Sequence, residues 1–318
     1  MSKQINGFSK LSKQEKIDWI SKTHFSDSQK AAHQLSSYWN SSPEVQTRHD
    51  EFIENTLTNF YMPLGVAPNF LINDALYTLP MVIEESSVVA AAGNAAKFWF
   101  SKGGFEAKII DTIKVGQVHF LYEGAPSILN SFFKNNKSKL LEATKPLTLN
   151  MEKRGGGIVS LDLIDKTAAL DHYYQLQVRF KTADAMGANF INSCLESLAD
   201  ELEKVSQQDA SFTEDNPKIE VIMSILSNYV PECLVHAKVS CPIDSIEPQE
   251  GMDGATFAKT IVQAIQIANC EPYRAVTHNK GIMNGVDALV LATGNDFRAI
   301  EAGVHAYAAR SGNYSSLS

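Results

Sequence analysis

The chain lacks any apolar run approaching the roughly 18 residues that a membrane-spanning helix needs. Its first residues, MSKQINGFSKLSKQEK, carry no apolar leader core. A soluble, cytoplasmic protein is therefore expected. Cysteine is scarce, with four in 318 residues: Cys194, Cys233, Cys241 and Cys270. None forms a CxxC pair or stands at metal-ligand spacing to histidine, which argues against a disulfide framework and a zinc site. Reduced, packed thiols are expected. Basic charge is in deficit, 28 Lys and Arg against 36 Asp and Glu, a net −8. That disfavours nucleic acid, whose binding depends on phosphate neutralisation, but it allows a local basic pocket. No GxGxxG follows a first strand, so the usual doubly wound dinucleotide fingerprint is missing. No repeat or low-complexity segment is evident.

What is present is a core-forming composition, 44% hydrophobic, sufficient for two domains. The most informative stretch runs from Tyr273 to Tyr307. It holds Lys280, Asn284 and Asp296 among four glycines, Gly281, Gly285, Gly294 and Gly303. Glycine in a helix interior costs ~1 kcal/mol relative to alanine. So many together predict close backbone approach or sharp turns around a site. Asp296 follows Gly294-Asn295 and precedes Phe297, Ile300, Val304 and Tyr307, an N-cap signature; capping alone would account for it. Lys280 is harder to explain as an ordinary surface lysine. His278, beside it, reads as a packed, hydrogen-bonded histidine.

In chain order, residues 8–60 read as short amphipathic helices. Ser12 and Glu15 fit a capping box, Asp27 opens the next helix, and Glu51 to Phe60 continues helically. Tyr61 to Thr78 reads as short extended pieces broken by Pro63, Gly65, Pro68 and Asn73-Asp74. Glu84-Glu85 precedes a small-faced helix from Val88 to Trp99, where the glutamates could merely complement the helix dipole. Ile109 to Tyr122 reads as one strand, and Ala125-Pro126-Ser127 opens a helix to Glu142. Strands follow at Ile158 to Leu163 and Tyr173 to Phe180. A long helix from Ala185 to Val205, a turn at Asp215-Asn216-Pro217 and a strand from Ile219 to Ile225 come next. The order β-α-β-β-α-β predicts a ferredoxin-like unit. It is inserted in a larger, mainly helical domain with a mixed sheet, an α+β fold overall. The expected boundaries are 1–108, 109–222 and 223–318. Asp184-Ala185-Met186-Gly187-Ala188-Asn189 opens the long helix, where free N–H groups and the dipole attract phosphate. An ordinary capped helix packed closely on a sheet would read the same way.

Three segments carry a resemblance: THNKGIMNGVDALVLATGND (277–296), PMVIEESSVVAAAGNAAK (80–97) and DAMGANFINSCLE (184–196). Together and in this order they resemble the class II, bacterial-type hydroxymethylglutaryl-CoA reductases, across nearly the whole chain. The resemblance implies a two-step, NADPH- or NADH-dependent interconversion of 3-hydroxy-3-methylglutaryl-CoA with mevalonate and coenzyme A. The path runs through a hemithioacetal and mevaldehyde. It implies Glu85 as proton donor or acceptor and Lys280 as the cation for developing oxyanions. Asp296 would couple to both, and Asn284 would orient the lysine. Arg274, Thr277 and Asn228 match substrate-contacting positions. Asp184, Met186, Gly187, Ala188 and Asn189 match the dinucleotide site.

The resemblance further implies that residues after the 155–157 glycine run, Ser160 among them, influence nicotinamide choice. Neutral Ser160 leans towards NADPH or dual use, and Asp162 weakens that lean. A homodimer with an inter-subunit active site is implied as well. Three departures are visible. Ser86 replaces the proline that usually follows the two glutamates, and only Glu54-Asn55 remain of an ENVIG-like element. None of the eight histidines matches the family's late catalytic histidine, so the chain corresponds to roughly the first three quarters of a reductase. The alternative expectation is a catalytically incomplete CoA- or dinucleotide-binding or dimerisation module.

Overall fold

The computed structural model describes residues 3–212, 217–248 and 251–318. The chain forms two compact units, Met1–Pro63 and Leu64–Ser318. Asp215 and Asn216, expected in a turn, lie outside the described residues.

In the first unit, helices α1 (Lys13–His24), α2 (Ser28–Ser37) and α3 (Pro43–Asp50) start on Ser12, Asp27 and Ser42 caps. The Ser12–Glu15 capping box is complete. Ile17 is wholly buried, and Lys13 pairs with Asp50 at 2.7 Å. The expected helix from Glu51 to Phe60 does not form. Its polar side chains bond to backbone instead, the competition that disfavours such residues in helix interiors. Thr56 donates to Ile53 O, Thr58 to Leu35 O and Asn59 to Tyr38 O. Asn55 adopts φ 57°.

The second unit begins with a hairpin, β1 (Leu64–Ile72) and β2 (Ala75–Val82). Both turn residues, Asn73 and Asp74, have positive φ, the conformation that matches strand twist in two-residue hairpin loops. Pro68 is tolerated because the register shifts between Ala67 and Phe70. The short pieces expected here are thus one continuous hairpin. Helix α4 (Val88–Phe100) follows.

The strand read as Ile109 to Tyr122 is two strands, β3 (Glu106–Thr112) and β4 (Lys114–Leu121). The break at buried Ile113 sends them to different sheets. After β4 come α5 (Pro126–Ala143), α6 (Lys145–Glu152), β5 (Gly157–Asp165), β6 (Tyr173–Lys181), α7 (Ala188–Gln208) and β7 (Glu220–Leu226). Strands β5-β6-β4-β7, in that order, make one antiparallel sheet. Ile191, Leu195, Leu198, Leu202 and Val205 form the apolar stripe of α7. With Phe120, Leu161, Leu176, Val178 and Phe180 of the sheet they build the main core. Strand β8 (Cys233–Lys238) pairs with β3. Helices α8 (Gly254–Cys270), α9 (Pro272–Ala292) and α10 (Phe297–Ala308) complete the unit. Helices and sheets together make an α+β fold, but all the named strand pairs are antiparallel, so the mixed sheet expected in the larger domain does not form among the described residues.

Packed thiols hold for Cys194 alone in full. Burial pushes its thiol up to about 11, whereas Cys233 and Cys270 are exposed. No helix among the described residues is long and apolar enough to cross a membrane.

Candidate active site

Helix α9 presents two faces. Ala275, Asn279 and Met283, four residues apart, are buried on one; Ala288 is buried on the other, one turn beyond Asn284. Ala288 packs with Ala67 and Met81 of the hairpin and with Val88, Val89 and Ala92 of the α4 region. Buried Asn279 donates to Ser315 O at 2.9 Å and accepts from Leu317 N at 3.0 Å, fixing the helix to the segment beyond α10. At 3.6 residues per turn, Arg274, Thr277, Lys280 and Asn284 share that other face of α9. The packing of α9 on β2 brings that face to the loop joining β2 to α4. Lys280 Nζ there lies 2.6 Å from Glu85 Oε2.

The two side chains are 60% and 47% exposed. An ion pair this exposed contributes at most ~1 kcal/mol to stability. It does little for the fold and leaves both groups open to a ligand. The loop also carries backbone strain, since Ser87, the residue capping α4, has φ 76° and offers no side-chain bond to the helix.

The glycine reading divides. Gly281 and Gly285 lie inside continuous helix with open space where a Cβ would stand, so neither marks a sharp turn. Gly294 does, with φ 68°. Gly294 N–H bonds to Leu291 O and Asn295 N–H to Val290 O, closing α9 in a Schellman turn. At Gly303 a Cβ would come 2.8 Å from Asn228 O, a close backbone approach.

Asp296 caps α10. Its Oδ1 accepts from Arg298 N and Ala299 N, and its Oδ2 from the Arg298 guanidinium at 3.2 Å. It makes no bond to Lys280 or Glu85, contrary to the expected coupling; the α10 N-terminus and Arg298 take up both its oxygens. Asn284 follows Lys280 by one turn without bonding it, because the ammonium turns to Glu85. Arg274 is exposed, and its backbone N–H bonds to Glu271. Thr277 Oγ1 donates back to Tyr273 O. His278 bonds to Ser318 Oγ at 2.6 Å, and burial, with Arg274 nearby, holds its pKa below the usual imidazole range.

Met186, Ala188, Asn228 and Asp296 line one cavity of about 230 Å³ with Lys114 and Asn295. Segments far apart in the chain thus meet there. Helix α7 starts at Ala188, three residues later than expected, on a Gly187 cap with φ 81° and no side-chain cap. A Cβ on Gly187 would overlap Thr182 Cγ2. The first N–H groups of α7 therefore have no capping side chain, and the backbone in front of them is bare. That arrangement suits a phosphate. Asp184 and Asn189 stand exposed on either side. Ser160 lies on edge strand β5, outside that cavity, and donates to Asp162 Oδ2 at 2.9 Å. The two do share a face, as alternation requires, and Lys137 approaches Asp162 at 3.7 Å.

Sequence reasoning missed two features. Lys114 opens an apolar strand, and only the register of β4 brings it to the cavity. Asp287, on α9, turns its carboxyl to Glu301 of α10, and its buried Oδ1 has no hydrogen-bond partner among the described residues. Burial and the neighbouring Glu301 push its carboxyl up to about 7. An acidic residue inside the apolar run GVDALVL was the available signal.

The model of the hydroxymethylglutaryl-coenzyme A reductase family matches residues 12–317. The chain belongs to that family. It is 35% identical over 315 residues to the 3-hydroxy-3-methylglutaryl-coenzyme A reductase of Archaeoglobus fulgidus, covering 98% of this chain and 66% of that protein. It is 34% identical over 275 residues to a probable reductase of Borreliella burgdorferi, covering 85% of this chain and 59% of that one. The chain thus spans about two thirds or less of these relatives. A Streptococcus pneumoniae reductase structure superposes with a TM-score of 0.74 at 35% identity, covering 98% of this chain and 70% of that chain. The class II enzyme of the same organism, solved bound to NADPH in open conformations, gives 0.74 at 36% identity, covering 98% and 80%.

Proposed function

We propose that this protein is a hydroxymethylglutaryl-CoA reductase of the class II kind. It interconverts 3-hydroxy-3-methylglutaryl-CoA with mevalonate and coenzyme A at the expense of NADPH or NADH. The carrying observation is the Glu85–Lys280 contact, an exposed pair from segments 195 residues apart. When bound, the dinucleotide supplies hydride. Lys280 offers a fixed cation to the oxygen that gains charge as the carbonyl is reduced, the largest kind of term available to such a site. Glu85, at hydrogen-bonding distance from that ammonium, gives or takes the proton that the same oxygen exchanges. Arg274 and Thr277, on the same helix face, orient the substrate carboxylate. A guanidinium suits that task through paired hydrogen bonds. Asn284 stands one turn from Lys280, and Asn228 and Asp296 act from the wall of the cavity they share with Met186 and Ala188.

The dinucleotide is assigned to the Asp184–Asn189 segment, in a small domain over 109–222 placed between 1–108 and 223–318. Support comes from the bare N-terminus of α7, from the unbroken run β4 to β7, and from the NADPH-bound relative. Ser160 and Asp162 tune the choice between NADPH and NADH. A homodimer with the site between subunits is part of the reading. Exposed Ile109 and Val235 on the β3–β8 pair, and Val262 and Tyr273 on α8 and α9, support a protein partner.

The test supplies 3-hydroxy-3-methylglutaryl-CoA with NADPH or NADH, following dinucleotide oxidation and thiol release together. Two dinucleotides oxidised per thiol released is the expected ratio. No oxidation with either dinucleotide overturns the reading.

A further inference from the structure

The turn ahead of α7 is fastened by one cation. Lys114 Nζ donates to Thr182 Oγ1 at 2.8 Å and to Ala185 O at 3.1 Å. Thr182 is wholly buried, and its hydroxyl donates to the same Ala185 O at 2.6 Å. These three bonds close a ring around a backbone that local preference opposes. Ala183 has φ 49° and Gly187 φ 81°, and a non-glycine residue holds such a conformation only where its surroundings impose it. Gly187 lies so close to Thr182 that no Cβ fits between them. The position of Gly187, and of the Ala188, Asn189 and Phe190 N–H groups behind it, therefore follows Thr182. Thr182 in turn is oriented by Lys114. Bonds from an ionised donor are about twice as strong as neutral ones, and a sheet strand is a rigid mount for one. Lys114 also lines the cavity that Met186, Ala188 and Asp296 share.

We propose that Lys114 is the positioning residue of the dinucleotide site, holding the 182–187 turn through Thr182 so that the first turn of α7 is set for a phosphate. This rests on the dinucleotide reading above. It differs from a direct role, in which the ammonium itself meets the ligand's charge. Under a direct role Thr182 would be dispensable. Under positioning, removing the Thr182 hydroxyl does the same damage as removing the lysine.

The experiment compares the parent chain with Lys114→Met, Thr182→Val and Lys114→Arg. NADPH affinity is read by fluorescence titration, and amide hydrogen exchange is read over 182–190. Lys114→Met and Thr182→Val are expected to bind NADPH about ten- to a hundredfold more weakly, the usual weight of a hydrogen bond to a charged group. Both should exchange faster across 182–190, and Lys114→Arg should recover most of the affinity. Lys114→Gln gives the same decision should the methionine variant fail to fold. Parent-like affinity or exchange in the lysine variant overturns the proposal. So does a loss in Lys114→Met with none in Thr182→Val. A parent chain that binds neither NADPH nor NADH overturns the dinucleotide reading and the proposal with it, and is recognised because the failure precedes any substitution.

Discussion

Lys280 and Glu85 meet at 2.6 Å across 195 residues of chain. One stands on a helix packed against the β1–β2 hairpin, the other on the loop that leaves that hairpin. The hairpin therefore fixes their separation. Their exposure removes any large contribution to folding, so substitutions at either should separate activity from stability.

Asp296 caps α10, and the proposed mechanism gives it a second duty; a pair of substitutions divides the two. Asparagine caps helices about as well as aspartate, whereas alanine at a cap costs ~1 kcal/mol. Asp296→Asn should leave the unfolding transition near the parent's and lower turnover by removing a charge from the cavity wall. Asp296→Ala should lose stability as well. Denaturant melts beside turnover measurements check this. Full activity in Asp296→Asn would reduce the residue to a cap.

Gly187 admits no side chain. Its φ of 81° and its contact with Thr182 both oppose one. Gly187→Ala should destabilise the chain by about 1 kcal/mol or more and should weaken dinucleotide binding beyond that loss. Titration with NADPH well below the melting transition is the check. Unchanged affinity would mean the bare N-terminus of α7 is not where the phosphate sits.

The Asp287 carboxyl gives a pH dependence of known sign. Burial, then Glu301, raise it to about 7 in the folded chain, against about 3.9 unfolded. Glu301 also pairs with His305 at 2.8 Å, and His305 bonds to Tyr314. The folded state thus holds the extra proton between about pH 4 and 7. The stabilisation is complete below 4 and is lost as pH rises through 7. Asp287→Asn should remove this component, so the difference between parent and variant melts should slope across that window and flatten above it. Parallel profiles would contradict it.

Much of the fold was legible because local signals and tertiary packing agree. The Ser12 box, the Asp27 and Asp296 caps, the Asn73-Asp74 turn and the apolar stripe of α7 are all set within a few residues. Failures came where distant partners decide. Nothing local to Ile113 says that the strands on either side of it join different sheets. Thr56, Thr58 and Asn59 choose backbone partners up to 23 residues away, such as Leu35. The glycines of α9 misled for a related reason, since their rarity in helices was read as geometry, yet two of them simply leave one helix surface bare. In the site, the resemblance named Glu85 and Lys280 separately, and the fold joined them. It did not join Asp296 to either. Lys114 carried no signal in sequence, since its role depends on strand register and on a turn 68 residues later.

Mevaldehyde reduction tests the central claim most directly, because it needs the oxyanion cation and the proton but no departing sulfur. Turnover would be measured with NADPH in the parent, Lys280→Ala, Glu85→Gln and the double variant, each first shown to unfold cooperatively at the parent's midpoint. Each single change should lower turnover by ~10²–10³. The double should be little worse than either, since groups that act as a unit are not additive. Near-parent turnover in folded Lys280→Ala, or losses that simply multiply in the double variant, would contradict the account.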